Sequence, residues 1–426
     1  MLLPGKRLIG FLPLLLLSVL AFSQEIEPYS RFALGQTANS VFSASKGMGG
    51  LAAAYRDQFY INFLNPASYS SLSLTTLETG VKFTTQKIKD GQTGKSYRAG
   101  DGFFDHFALG VPIGKRAGLS MGLLPYSYMQ YDFEQTKIYD IGSSQKLYQG
   151  SGTIYQLYFG GGYRFPKMDT SVNLFSVGMN VVYLFGKTDR SDILEFSPQD
   201  YYNMRITSSA RMNNLALNIG VQYRRDLSKK VYGLLGAYVY APVSVSSTQN
   251  ESWARYLKLS SGIFIIDTVH AAKTDVPGMK IPVEAGAGLS FGEKNHWMIG
   301  AEFRYKMWSE VESFSTDATL EDSWEVRAGA ELRPNAISTK FLNRVAYRLG
   351  GFYDAGYLNI DGTKIPEFGA TFGFGIPLKT SFARLNFSFD AGSRGTTANQ
   401  LIKETFLRAY IGFTFNDKWF LKPKYD

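Results

Sequence analysis

The chain has 426 residues, a formal charge of +9 and 45% hydrophobic residues, with no cysteine and three histidines. The missing thiols exclude a disulfide framework, a thiol nucleophile, a thiolate metal site and an N-terminal lipid anchor. Its 43 Gly, 32 Phe and 27 Tyr suit many strands joined by turns, and the mean hydropathy of −0.13 is far below that of a helical membrane protein.

At the N-terminus, Lys6 and Arg7 precede the apolar run 8–22, and Ala21-Phe22-Ser23 before Gln24 has the small-x-small form of a cleavage site. The run is too short to span a bilayer and is interrupted by Pro13, so residues 1–23 are expected to be a cleaved signal peptide. Residues 24–69 are not strand-like throughout. Their stretch from Lys46 to Tyr55 is small and apolar, a composition that packs tightly, and a hatch that plugs a barrel lumen is expected there.

From about Ser70 onward apolar residues recur at period two. Leu215, Leu217, Ile219, Val221 and Tyr223 alternate with Ala216, Asn218, Gly220, Gln222 and Arg224. The same alternation runs from Leu119 to Phe133, from Ala383 to Asp390 and from Leu407 to Phe415. Soluble strands cluster near five or six residues, whereas these commonly exceed ten. Short turns such as 114–116, 225–228 and 292–295 alternate with longer polar loops near 89–101, 135–150, 188–205, 248–279, 313–321, 357–365 and 392–403. That asymmetry marks a transmembrane barrel, with short turns on the periplasmic side. The reading is therefore all-β: a transmembrane antiparallel outer-membrane β-barrel of about 14 strands over 70–415, with a periplasmic tail at 416–426. The extracellular loop 248–279 has room for one further strand pair. Such a chain is exported to the outer membrane of a Gram-negative bacterium, where nucleic acid is not a partner.

The run Asn62-Phe63-Leu64-Asn65-Pro66-Ala67-Ser68, just before the first strand, resembles the N-terminal hatch of FadL-type outer-membrane proteins. Met48-Gly49-Gly50-Leu51-Ala52, the stretch from Gly118 to Ser127 and the closing strand 408–415 are similar to the branch of that family that includes PorV, of type IX secretion. The resemblance implies a hatch fixed by Asn62, Asn65, Pro66 and Ala67, where Pro sets φ, Asn caps a turn and Ala permits close packing. It also implies one of two functions. The first is an interaction subunit of an outer-membrane complex, in type IX secretion or in barrel assembly and surface export. The second is a transporter of hydrophobic small molecules. We favour the first, whose partners are outer-membrane lipid and other outer-membrane or periplasmic proteins; a hydrophobic ligand belongs to the second.

Candidate partner-binding residues are Trp253, Tyr256 and Phe264 in the loop 248–279, and Trp419 and Phe420 in the tail, because large apolar groups in such positions are costly to leave in water. No enzyme is expected, and no cofactor or metal. Asp105 and His106 are strand neighbours whose side chains should point to opposite faces. His270 and His296 lack ligand spacing, and the acidic residues Asp189, Asp192 and Glu195 read as a solvated loop. Within Gly160-Gly161-Gly162 no Lys-Ser/Thr follows, so that run reads as relief of a crowded, bent or kinked wall, or as a close approach by the hatch, rather than as a phosphate loop.

Overall fold

The computed structural model describes residues 27–419, apart from 140–141, 167–172, 198–200, 245–246, 260, 277–280, 312–317, 336 and 379–381. The signal-peptide assignment and Phe420 therefore lie outside the described residues. Twenty strands follow one another. A two-residue β1 (Gln36–Thr37) precedes β2 (Thr75–Asp90), β3 (Ser96–Ile113), β4 (Ala117–Tyr139), β5 (Gly142–Arg164), β6 (Asn173–Ser197) and β7 (Asn203–Asp226). Next come β8 (Val231–Ser244), β9 (Ser247–Leu259), β10 (Gly262–Val276), β11 (Val283–Glu293), β12 (Trp297–Met307), β13 (Thr319–Leu320) and β14 (Ser323–Leu332). The chain finishes with β15 (Ala346–Asp354), β16 (Leu358–Ile360), β17 (Thr363–Lys364), β18 (Glu367–Pro377), β19 (Arg384–Gly395) and β20 (Ile402–Asp417).

Fourteen of these close an antiparallel ring. Strands β2 to β8 pair in sequence, β8 pairs with β11, and the ring runs on through β12, β14, β15, β18 and β19 to β20. It is sealed by β20 against β2, from Thr75 opposite Asp417 to Asp90 opposite Ile402. Closure satisfies backbone groups that hydrocarbon could not. The faces confirm the solvent. On β6, Phe175, Met179, Val181 and Tyr183 are exposed while Ser176, Asn180 and Val182 are fully buried. Apolar residues outside and polar residues inside is the inverse of a soluble sandwich and requires lipid around the wall.

The expected long loops are mostly strand. Strands β4 to β7 are 23 to 25 residues long, against 9 to 12 for β11, β12, β14, β15, β18 and β19. Spanning needs roughly 9–11 residues, so one flank of the barrel rises as a tall crest while the other ends near the membrane. The polar stretches 135–139, 142–150, 188–197 and 203–205 are therefore paired strand. Asp189 lies 2.8 Å from Lys187 and Glu195 2.8 Å from Lys258 instead of sitting in a loop. The segment 248–279 supplies the extra strand pair: β9 adds to the upper half of β7, and β10 pairs with β9.

Two bulges shift the inside-outside pattern. At Asp105 the β2 ladder passes from Gly80 opposite His106 to Val81 opposite Phe104. Asp105 and His106 consequently both point inward, are both buried, and bond to each other at 2.8 Å, contrary to the divergence expected of strand neighbours. A second bulge at Tyr126 carries Tyr131 from the outer to the inner face, so the odd-outward register of β4 stops at Pro125.

Candidate functional site

The interior is built by the N-terminal segment and the inward faces of the wall. Between Pro28 and Ser71 the segment forms two 3-10 turns and one turn of helix, and most of its residues are buried. It follows the wall closely because inward glycines clear a path. A Cβ built at Gly162 would lie 2.4 Å from the Pro66 carbonyl oxygen, at Gly220 2.1 Å from Asn65 Oδ1, and at Gly236 1.8 Å from the Ala53 carbonyl oxygen. Of the Gly160-Gly162 run, Gly162 thus meets the segment, whereas a Cβ at Gly160 would lie 2.0 Å from Asn180 Oδ1 of the wall.

The Asn-Pro-Ala motif sits at the centre of this docking. Asn65 is fully buried and caps the 3-10 turn Pro66–Ser71, accepting from the Ala67 N–H at 3.3 Å. Its amide donates to Ala53 O at 2.7 Å and to the wall carbonyls of Val221 and Ala237 at 3.2 and 3.3 Å. Asn62 Nδ2 donates to the carbonyls of Ala52 and Tyr55 at 2.7 and 3.0 Å. From the same part of the wall, Asn180 of β6 and Asn218 of β7 both donate to Phe63 O. Replacing Asn65 with alanine strands several of these buried groups, and a loss of ~1–3 kcal/mol in denaturant unfolding is expected.

A charged lattice holds the opposite side. Glu302 faces Arg327 and Arg304 faces Glu325 across β12 and β14. Glu325 accepts from Lys306 Nζ at 2.5 Å and from Arg327 Nη2 at 2.8 Å. Glu302 Oε2 accepts the backbone N–H groups of Ala52 and Ala53 at 2.6 and 2.7 Å, while Arg304 and Arg327 donate to the carbonyls of Gly50 and Gly49. Lys46 of the segment donates to Asp105 and lies 4.1 Å from the Tyr410 ring centre. Burial pushes the Lys46 ammonium below its ordinary pKa, and the charge of Asp105 opposes that fall. A cavity of about 120 Å³ opens among these groups, bounded by Lys46, Lys82, Asp105, Arg304, Glu325 and Arg327. Of these charges only Asp105 was singled out from sequence. Their signal is the alternation Glu302-x-Arg304-x-Lys306 and Glu325-x-Arg327 at inward positions.

The wall parts at one seam. Strands β3 and β4 pair only from Phe107 opposite Leu123 to Ile113 opposite Ala117. Above Leu123 the edge of β4 is taken by the N-terminal segment: β1 pairs with Ser127 and Tyr128, Ala38 N–H donates to Tyr126 O, and Glu27 N–H donates to Gln130 O. Phe103 of β3 and Tyr128 of β4 stack at 4.8 Å across the seam.

The expected partner-binding residues are not gathered at one place. Trp253 is half-buried, donates to Glu251 and packs on His270 at 5.4 Å. Tyr256 is buried and donates to Glu195 at 2.8 Å. Phe264 is exposed with Ile263, Ile265 and Ile266 near the tip of the crest, and Trp419 is exposed after β20 at the short-turn end.

A profile of the BamG family matches residues 6–426. The chain belongs to the BamG family. No curated protein matches the sequence. Its fold is that of FadL-type outer-membrane channels. The Ralstonia pickettii toluene transporter TbuX superposes with a TM-score of 0.58 at 14% identity, over 88% of this chain and 98% of that one. The CymD monoaromatic hydrocarbon channel gives 0.56 at 14%, over 89% and 98%. A Pseudomonas aeruginosa FadL homologue gives 0.54 at 12%, over 92% and 100%. This BamG-family chain thus shares the closed 14-strand barrel of Gram-negative outer-membrane channels, and those structural neighbours are channels or transporters rather than enzymes.

Proposed function

We propose that this protein is a non-enzymatic accessory subunit of an outer-membrane protein complex. Its BamG designation supports barrel assembly as the setting, and the sequence likeness to PorV supports the same kind of role in surface export. The observation that carries the reading is the interior. Pockets for hydrophobic compounds are mostly apolar, with a few placed polar groups. Here aromatic residues such as Tyr126, Trp308 and Phe352 share the cavity wall with Lys, Arg, Asp and Glu side chains bonded to one another and to the N-terminal segment. An apolar solute would have to desolvate them without return. The exposed tip of β10 and Trp419 supply surfaces for protein contact at the two ends of the barrel.

The second reading, transport of hydrophobic small molecules, is favoured by the seam between β3 and β4 and by the toluene and monoaromatic channels that share the fold. One cysteine pair tests both. Thr37 lies opposite Ser127 in the ladder that covers the seam, and the chain has no other thiol. Oxidised Thr37→Cys/Ser127→Cys protein is expected to co-purify with its outer-membrane partners as the reduced form does. Loss of toluene uptake on oxidation, restored by reductant, would establish transport and overturn the proposal.

A further inference from the structure

The short-turn end of the barrel, periplasmic by the loop rule, contains a second cavity of about 210 Å³ that the reading above does not use. Five basic side chains line it, Arg56, Arg164, Arg224, Lys294 and Arg333, against the three carboxylates Asp57, Glu293 and Glu331. Each carboxylate has a partner of its own, two of them within the same lining. Glu331 bonds to Arg333 and Arg348 at 2.9 and 2.8 Å, Asp57 Oδ1 accepts the Phe59 N–H at 2.7 Å, and Glu293 lies 3.6 Å from His296. Arg224 has its own partner in Asp226 at 3.0 Å.

Arg56 and Arg164 have no such relief. Among the described residues neither has a carboxylate within 4.0 Å. Arg56 donates only to neutral groups: Ser176 Oγ at 3.0 Å, Gln222 Oε1 at 3.2 Å, Ser70 Oγ at 2.9 Å and Ala67 O at 3.5 Å. Arg164 donates to Lys115 O. A guanidinium drawn out of water beside others of its kind is costly unless an anion joins it. Burial, with the charges of Arg164 and Arg224, pulls Arg56 down to about 9. Forked donors supplied by different elements suit a tetrahedral oxyanion, and an excess of positive charge favours a dianion over one carboxylate. Ser71, Asn295 and Tyr232 add neutral hydrogen-bonding groups to the walls.

We propose that this periplasm-facing cavity binds a phosphate group, held by Arg56 and Arg164 with Arg224 beside them. The inference is independent of the accessory-subunit role.

The test is calorimetric titration of the full chain, in a phosphate-free maltoside detergent, with inorganic phosphate and with acetate. Saturable one-to-one binding of phosphate, with acetate much weaker, is expected. Removing one charge-assisted donor as Arg164→Gln should weaken it about tenfold or more. Arg56→Gln should abolish it. Because Arg56 also ties the N-terminal segment to the wall, Arg164→Gln carries the test if the Arg56 variant fails to fold. Parallel titrations with glycerol phosphate and with short-chain phosphatidylglycerol separate the sources: uptake of the former assigns a soluble phosphate compound, and uptake of the latter alone assigns a lipid headgroup. Absence of saturable heat from the folded wild-type protein with every one of these phosphate probes, or unchanged phosphate affinity in Arg164→Gln, would overturn the site.

Discussion

Glu325→Leu is expected to destabilise the folded barrel by ~3–5 kcal/mol, the usual cost of removing one partner from a buried ion cluster. The reason is what remains. Glu325 is almost fully buried and serves Lys306 and Arg327 directly, with Arg304 Nη1 at 3.9 Å. Leucine leaves three cations facing one another, with Glu302 as the nearest compensation for Arg304 at 2.6 Å. Urea unfolding in detergent would show the loss as an earlier midpoint at an unchanged slope. The double variant Lys306→Met/Glu325→Leu should recover part of it, since one stranded charge is gone. If the single variant unfolds within about 0.5 kcal/mol of wild type, the range typical of surface substitutions, water must be screening the lattice and its structural role fails.

Gly178→Val should leave the wall closed but expel the N-terminal segment from it. A Cβ at this position would stand 2.3 Å from the Pro66 carbonyl carbon and 2.4 Å from Ala67 N, both backbone atoms that cannot rotate away. Gly178 lies between Gly162 and Gly220 on adjacent strands, each opposite it in register, so no neighbouring side chain can yield space. Ordinary overpacking costs about 1–3 kcal/mol, and displacement also forfeits the caps and bonds of Asn65. Limited trypsinolysis is the measurement: Arg56, shielded in the wild type, should become the principal new cleavage point. Gly161→Ala is the control, because its Cβ would face outward and meet the flexible tip of Leu119 at 3.0 Å and the Gly118 carbonyl oxygen at an ordinary 3.5 Å. Resistance of Gly178→Val to protease at Arg56 would show that the segment tolerates a shifted path.

Much of the wall was legible because a strand in lipid writes its two faces into alternate residues. Leu217, Ile219 and Val221 against Ala216, Asn218 and Gln222 could be read without coordinates, and the hairpins marked by alternating short turns and long loops gave the strand number. The Asn-Pro-Ala run stood out in the sequence by its place before the first strand, where the structure buries Asn65, Pro66 and Ala67. The crest was not, since Asp189, Asp192 and Glu195 look like any polar loop. Bulges were hidden as well. One unpaired residue at Asp105 turned a divergent pair into a bonded one, and no local composition announces such a shift. Pro125, which cannot donate to a ladder, is the one residue near Tyr126 that hinted at irregularity. The inward charges were visible individually, but their mutual pairing depends on which strands become neighbours, and the glycine path depends on where the segment runs.

The docking of that segment sets a problem of timing. Tyr29 donates to the Ile402 carbonyl 373 residues away, and Ser388 donates to the Ser43 carbonyl 345 residues away. The part of the described chain synthesised first therefore reaches its last partners only when the final strands are in place. Contacts of such separation fold slowly and leave apolar surface open meanwhile. Residues such as Leu34, Phe63 and Tyr69, all buried at the end, must be carried through export and insertion without a partner. A member of the BamG family is thus itself a demanding client for whatever machinery inserts barrels, and its N-terminal segment is the natural reporter of when insertion is complete.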